Sequence, residues 1–263
     1  MEAAAFGAAP GTAPLPAATN ADEVWLRAVA LGGQGRYSAA RSELARLRVL
    51  ARTQPALQSL ARSTAASYLR QLGWHRLAAV QDGAALALAA RAGAEPSARQ
   101  AHFDALTGLA ADALGSGRLP LGRRLLQRCD DELSAERETP ALWRQRIRFQ
   151  WVAAEISLAG GAGIPALAFA EAGYRHSMQH SSLRHQVKSR LLVAAALSAV
   201  DRVDESRALA GEVVEQCAEQ RLLPLRWAAA MLLAGGDEGS AAMASALESA
   251  REIESFGGSF RTM

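Results

Sequence analysis

Six times along this chain, two apolar stripes at helical spacing flank a short break of small or polar residues. The breaks fall at Gly35, Gly73, Gly117, Gly161, Asp201 and Gly236, spaced 38, 44, 44, 40 and 35 residues apart. Each unit has the size of one helix–turn–helix hairpin. A hairpin of this kind cannot bury its apolar face alone, so a run of them must stack. The second unit carries the longest stripe: Leu57, Leu60, Ala61, Thr64, Ala65, Tyr68, Leu69 and Leu72 follow the three-four spacing of a helix face. Small residues recur at fixed offsets. Ala28, Ala66, Ala110, Ala154, Ala194 and Ala229 stand seven before the breaks, and Ala40, Ala78, Gly122, Ala166, Ser206 and Ala241 stand five after. Close helix crossings need such residues.

Composition agrees. Half of the 263 residues are hydrophobic, only 5% are aromatic, and helix formers dominate. The expected helix pairs are 22–50, 56–92, 97–133, 140–179, 182–221 and 224–256. Residues 1–20, an Ala/Pro-rich stretch, read as a disordered tail, 21–256 as the helical body, and 257–263 as a frayed end. Residues 1–20 lack a basic start and a continuous apolar run, so no signal peptide is expected, and the cytoplasm is the expected location. No apolar stretch is long enough to span a bilayer.

Lys188 is the one Lys among 29 basic residues, and Asn20 is the one Asn. That bias is what GC-rich codons produce, so a high-GC bacterium such as an actinobacterium is the expected source. The sequence pI of about 9.3 then reflects Arg usage at a formal net charge of only +3, which weighs against a dedicated nucleic-acid binder. Cys129 and Cys217 sit in helical stripes without metal-ligand spacing and read as buried thiols.

Gly35-x-Tyr37-x-x-Ala40, with Trp25 and Ala28 upstream, resembles a tetratricopeptide repeat, and Gly73-x-His75-x-x-Ala78 resembles a second copy. The close match covers these two units; the others are TPR-like hairpins. The resemblance implies an all-α, right-handed α-solenoid of about six hairpins, whose first helices line a concave groove. Ser63, Ser67, Arg70, Gln71, Arg144, Arg148, Gln150, Arg184 and Lys188 would then face that groove. Families that grip acidic chaperone tails clamp them with Lys and Asn side chains, and this chain lacks the residues for that clamp.

Catalytic chemistry is sparse. Gly32-Gly33-Gln34-Gly35 is glycine-rich, but it lies between helices without a following Lys-Ser/Thr, so it reads as a turn. No zinc-protease motif or nucleophile elbow occurs. Asp130, Asp131, Glu132, Glu136 and Glu138 read as a solvated helix end. His176 and His180 are one turn apart and form a weak metal alternative, while the segment around them, with Arg175, Arg184, His185, Lys188 and Arg190, is the most cationic stretch. Arg144, Arg146 and Arg148 interleave with Trp143, Phe149 and Trp151, a pattern that can stack on nucleic acid, although Ile147, Trp151, Ala154 and Leu158 form a core stripe. The leading expectation is a non-catalytic adaptor that binds a protein or peptide, acidic by preference, without cofactor or metal. A transcription-linked regulatory domain is the second reading and an enzyme the third. An exposed terminal hairpin would offer a homodimer contact.

Overall fold

The computed structural model describes residues 1–93, 96–136, 139–235, 237 and 240–261. Every regular element among them is helical. A short helix, α1 (Glu2–Phe6), precedes six pairs: α2 (Ala21–Gly33) with α3 (Tyr37–Leu50), α4 (Pro55–Gln71) with α5 (His75–Arg91), α6 (Pro96–Gly115) with α7 (Leu119–Ala135), α8 (Trp143–Ala159) with α9 (Gly163–Ser177), α10 (Leu183–Ser198) with α11 (Val203–Glu219), and α12 (Leu223–Ala234) with α13 (Ala241–Ser255). A 3-10 turn, Pro140–Leu142, leads into α8.

The breaks act as helix stops through one repeated device. In the first five pairs the amide just after the turn's left-handed residue reaches back to a carbonyl in the last turn of the first helix: Arg36 N to Leu31 O (2.9 Å), Trp74 to Leu69 (2.9 Å), Arg118 to Ala113 (2.8 Å), Ala162 to Ser157 (2.9 Å) and Arg202 to Leu197 (3.0 Å). This bond needs a left-handed residue at the turn. Gly35, Gly73, Gly117 and Gly161 supply it with φ of 77°, 86°, 73° and 72°, and Asp201 takes it at 62° despite its Cβ. In the sixth pair the left-handed residue is Gly235 at 56°. The expected break, Gly236, lies outside the described residues.

The small residues sit where helices cross. Ala28, Ala66, Ala110, Ala154, Ala194 and Ala229 are all fully buried, as are Ala40, Ala78 and Ala166. Ser206 spans the same crossing by donating its hydroxyl to Ala194 O at 2.7 Å. Ala241 departs from the expectation and is exposed. The connection between α12 and α13 is longer than those within the other pairs, and the fully buried alanine of α13 is Ala246.

Each helix from α2 onward packs on the next, more lightly between α3 and α4 and between α7 and α8, and α2, α4, α6, α8, α10 and α12 also pack in turn on one another. These six helices therefore form one layer, against which α1 packs at α2 and α10, and this α1-facing layer is the inner wall. The two ends of the stack meet. Leu31, Tyr37, Ala40, Tyr68 and Leu72 share one apolar cluster with Leu223 and Ile253, flanked by Trp227, Phe256 and Phe260.

Both terminal stretches depart from the sequence reading. Residues 257–261, expected to fray, are tied to the first two hairpins: Arg41 donates to Gly257 O (2.8 Å), Trp74 Nε1 to Ser259 O (2.7 Å) and Arg261 N to Leu72 O (2.9 Å). Residues 262–263 lie outside the described residues. The first twenty residues, expected to be a disordered tail, follow a defined course. Ala4 and Ala5 are buried among Trp25, Val29 and Leu57. Leu183 N donates to Gly7 O (3.1 Å), and Gln34 Nε2 donates to Pro10 O (2.8 Å) and Thr12 O (3.0 Å). Arg27 grips Leu15 O at 2.9 Å, and Asn20 caps α2 by accepting from Glu23 N at 2.9 Å. The reason is apolar content hidden by Ala and Pro: Ala4, Ala5, Phe6 and Leu15 supply enough surface to hold the segment against the inner wall.

Candidate functional site

Two neighbouring inner helices, α8 and α10, carry the chemistry. On α8, Arg144 and Arg148 are one turn apart and converge on Asp104 of α6. Arg144 Nη1 lies 3.6 Å from Asp104 Oδ2, and Arg148 Nη1 pairs with Oδ1. On α10, Lys188 lies 3.5 Å from Glu155 Oε1 and its ammonium sits 4.7 Å from the Trp151 ring centre. Arg184 has no carboxylate among its described partners; it donates to Val29 O at 3.2 Å. Four cations thus stand against two carboxylates. Burial holds the Arg184 guanidinium down to about 10, with Tyr68 opposing the shift and Arg144 and Arg148 adding to it.

Aromatic rings fill the space between these cations. His185 is buried, stacks on Trp151 (centroids 5.2 Å) and meets Trp143 edge-on (5.1 Å), while its Nδ1 shares a 2.7 Å hydrogen bond with Ser182 Oγ. Burial, then the charges of Arg184, Arg144, Arg148 and Lys188, hold its imidazole well below the usual range, so it is neutral. His180 stacks on Trp143 at 4.4 Å. Phe6 of α1 enters this assembly: the Arg144 guanidinium lies 4.3 Å from its ring centre, Trp25 5.6 Å, Arg184 5.9 Å and His185 6.1 Å. Cation–π contacts of this kind gain weight when desolvated.

The expected groove residues therefore divide. Arg144, Arg148, Arg184 and Lys188 come together. Ser67 and Gln71 hydrogen-bond to each other, and Gln71 Oε1 accepts from Tyr37 at 3.0 Å. Gln150 packs toward α9 beside Gly173. Ser63 and Arg70 point into the protein. Arg70 is the centre of a buried ion network: Nε donates to Asp112 Oδ1 at 2.8 Å, and Nη2 pairs with Asp82. Asp82 and Asp112 are 1% and 0% exposed. Burial pushes both carboxyls up, with Arg70 opposing it, and Asp112 reaches about 7. Gly108 makes room for the network, since a Cβ there would lie 2.1 Å from Asp82 Oδ2.

The other singled-out residues have local roles. His180 is spent on Trp143, and burial, then Arg146 and Arg175, holds His176 below its usual range. Among the described residues no group of three His, Cys, Asp or Glu side chains is placed to hold a metal. Of the Arg triplet on α8, Arg146 turns outward to Leu133 O and Glu136 O. In the acidic cluster, Glu132 accepts from Arg128 (2.7 Å) and pairs with His102 (2.6 Å); Glu138 lies outside the described residues. The His102–Glu132 pair borders an open cleft of about 290 Å³, whose described lining contains no hydroxyl or thiol. Both cysteines are buried, and burial pushes Cys129 to about 11 and Cys217 to about 12. No helix among the described residues is long and apolar enough to cross a membrane.

Phe6, His185 and Asp104 were not among the expected groove residues. The signal for Phe6 is its isolation as the one aromatic in the first twenty residues. No family model matches this chain, and the search of curated proteins returns no match.

Proposed function

We propose that this chain is a non-catalytic, TPR-like interaction module that binds a peptide segment of a partner protein on its inner wall. The observation that carries this reading is the wall's grip on a length of polypeptide. Residues 1–19 are held by donors from Leu183, Gln34 and Arg27 to main-chain carbonyls, and those bonds ask nothing of side-chain identity. A surface that satisfies one segment's backbone in this way suits another. The excess of guanidinium and ammonium groups on α8 and α10 favours an acidic partner. Adaptor and regulatory roles both fit such a module.

Site-specific photo-crosslinking tests the reading. A photoreactive residue at Lys188 should capture one partner protein from cells, and the same residue at the exposed Val80 on α5 should not. Equal capture from both faces, or a partner caught from Val80 alone, would refute binding on the inner wall.

A further inference from the structure

The occupant of the inner wall has a specific form. Helix α1 buries Ala4 and Ala5 against α2 and sets Phe6 between Trp25 of α2, Arg144 of α8, and Arg184 and His185 of α10. The Phe6 seat supplies an aromatic ring with partners on several sides. It leaves one demand unmet, because Arg184 faces Arg144 and Arg148 with only a backbone carbonyl to accept from it. A half-buried guanidinium without a carboxylate is destabilising, and an added anion would relieve it.

Resting on the reading above, we propose that α1 is an internal stand-in for the partner's docking element, and that this element is a short helix that offers an aromatic side chain to the Phe6 seat and a carboxylate to Arg184. Ala4 and Ala5 show the size of side chain the approach to α2 accepts, so the element has small residues just before its aromatic. Partner and α1 exclude one another, and α1 lowers the partner's apparent affinity by its own occupancy. The partner gains over α1 through the Arg184 ion pair, which α1 does not make.

The test uses the full chain and two fluorescent peptides. One copies residues 1–12, and the other is the same with Glu in place of Ala3 and Ala8, both exposed positions flanking Phe6. The Phe6→Ala chain, in which α1 loses its aromatic anchor, should bind the plain copy at least about ten-fold more tightly than the wild-type chain does. It should bind the Glu copy about ten-fold more tightly still, and Arg184→Gln in the same background should erase that second gain. Equal binding of the plain copy to wild type and Phe6→Ala, with the variant's thermal melt intact, would make α1 a permanent part of the core and overturn the proposal. A Glu gain that survives Arg184→Gln would overturn the carboxylate assignment. Hydrogen exchange on the wild-type chain decides the matter if Phe6→Ala fails to fold. The Leu183 amide, held by Gly7 O, should exchange at least about ten-fold faster than the interior amides of α8 and α10, and exchange only at the rate of global unfolding would overturn release of α1. Inner-wall crosslinking with no gain in peptide binding sinks this inference alone, whereas loss of both sinks the binding reading beneath it.

Discussion

Replacing Asp112 by Asn should make the protein more stable in alkaline solution and leave it little changed in acid. In the fold, Asp112 and Asp82 share one guanidinium, and both carboxylates are buried. Two carboxylates against one Arg70 leave a buried negative charge, so the fold favours a proton on the pair. Burial, opposed by Arg70 and aided by Asp82, holds Asp112 at about 7 against an ordinary 3.8. The folded state then binds more protons than the unfolded chain between those values, so this group's contribution is fully present in acid and is lost as pH rises through about 7. Roughly three pH units at about 1.4 kcal/mol each give a ceiling on the order of 4 kcal/mol. The histidines act in the opposite sense. His75, His176, His180 and His185 are all held below their ordinary value, so the stability they carry is gained as pH rises toward 6.5. The difference between variant and wild type cancels those of His176, His180 and His185, but not that of His75, whose Nδ1 lies 4.0 Å from Asp112 Oδ1. Urea unfolding followed by circular dichroism, at half-unit steps from pH 4.5 to 8.5, should show Asp112→Asn gaining on wild type by about 2–4 kcal/mol across the range, most of it between pH 5 and 8. A pH-independent difference would refute the shared-proton account of this site.

Gly108→Ala should cost about 2–4 kcal/mol in the same assay, because its Cβ would drive Asp82 off Arg70. Arg221, at φ of 53° between α11 and α12, should accept Gly with a gain of about 1 kcal/mol, read as a higher melting temperature. Ala154→Leu should cost about 2–3 kcal/mol or more, because that fully buried position has no room for three more carbons, and Ala241→Leu on exposed surface should stay within about 0.5 kcal/mol. Cys129 and Cys217 should stay silent to a thiol reagent at pH 8 in the native protein and both react in urea, since burial keeps each protonated.

The hairpins were legible because each rests on local signals. A left-handed stop and an apolar face lie within one window of chain, and even Asp201 betrayed its turn by standing between two stripes. The closure was not legible. Leu31, Tyr37, Leu223 and Ile253 look like ordinary members of their own helix faces, and periodicity says that a face is buried without saying by what. The seat of Phe6 was hidden for the same reason, its partners being drawn from α2, α8 and α10. The Arg70 network did leave a trace. Asp82 lies on the stripe with Ala78 and Ala85, where a charge is out of place unless it has a partner. Arg70 was assigned to the groove because the resemblance places first-helix polar residues there, yet its side chain answers to those two carboxylates. Of the nine expected groove residues, the charged ones on α8 and α10 converged because like spacing on adjacent inner helices puts them at one level of the wall.

An open stack of repeats loosens from its outermost units, each of which has a neighbour on one side only. Here the outermost units hold each other through Tyr37, Leu223, Ile253 and the strap at 257–261. Among the described residues no hairpin is peripheral, and loosening any one of them breaks contacts on both of its sides. A further unit inserted among these six would therefore have to displace the contacts that join the first and last.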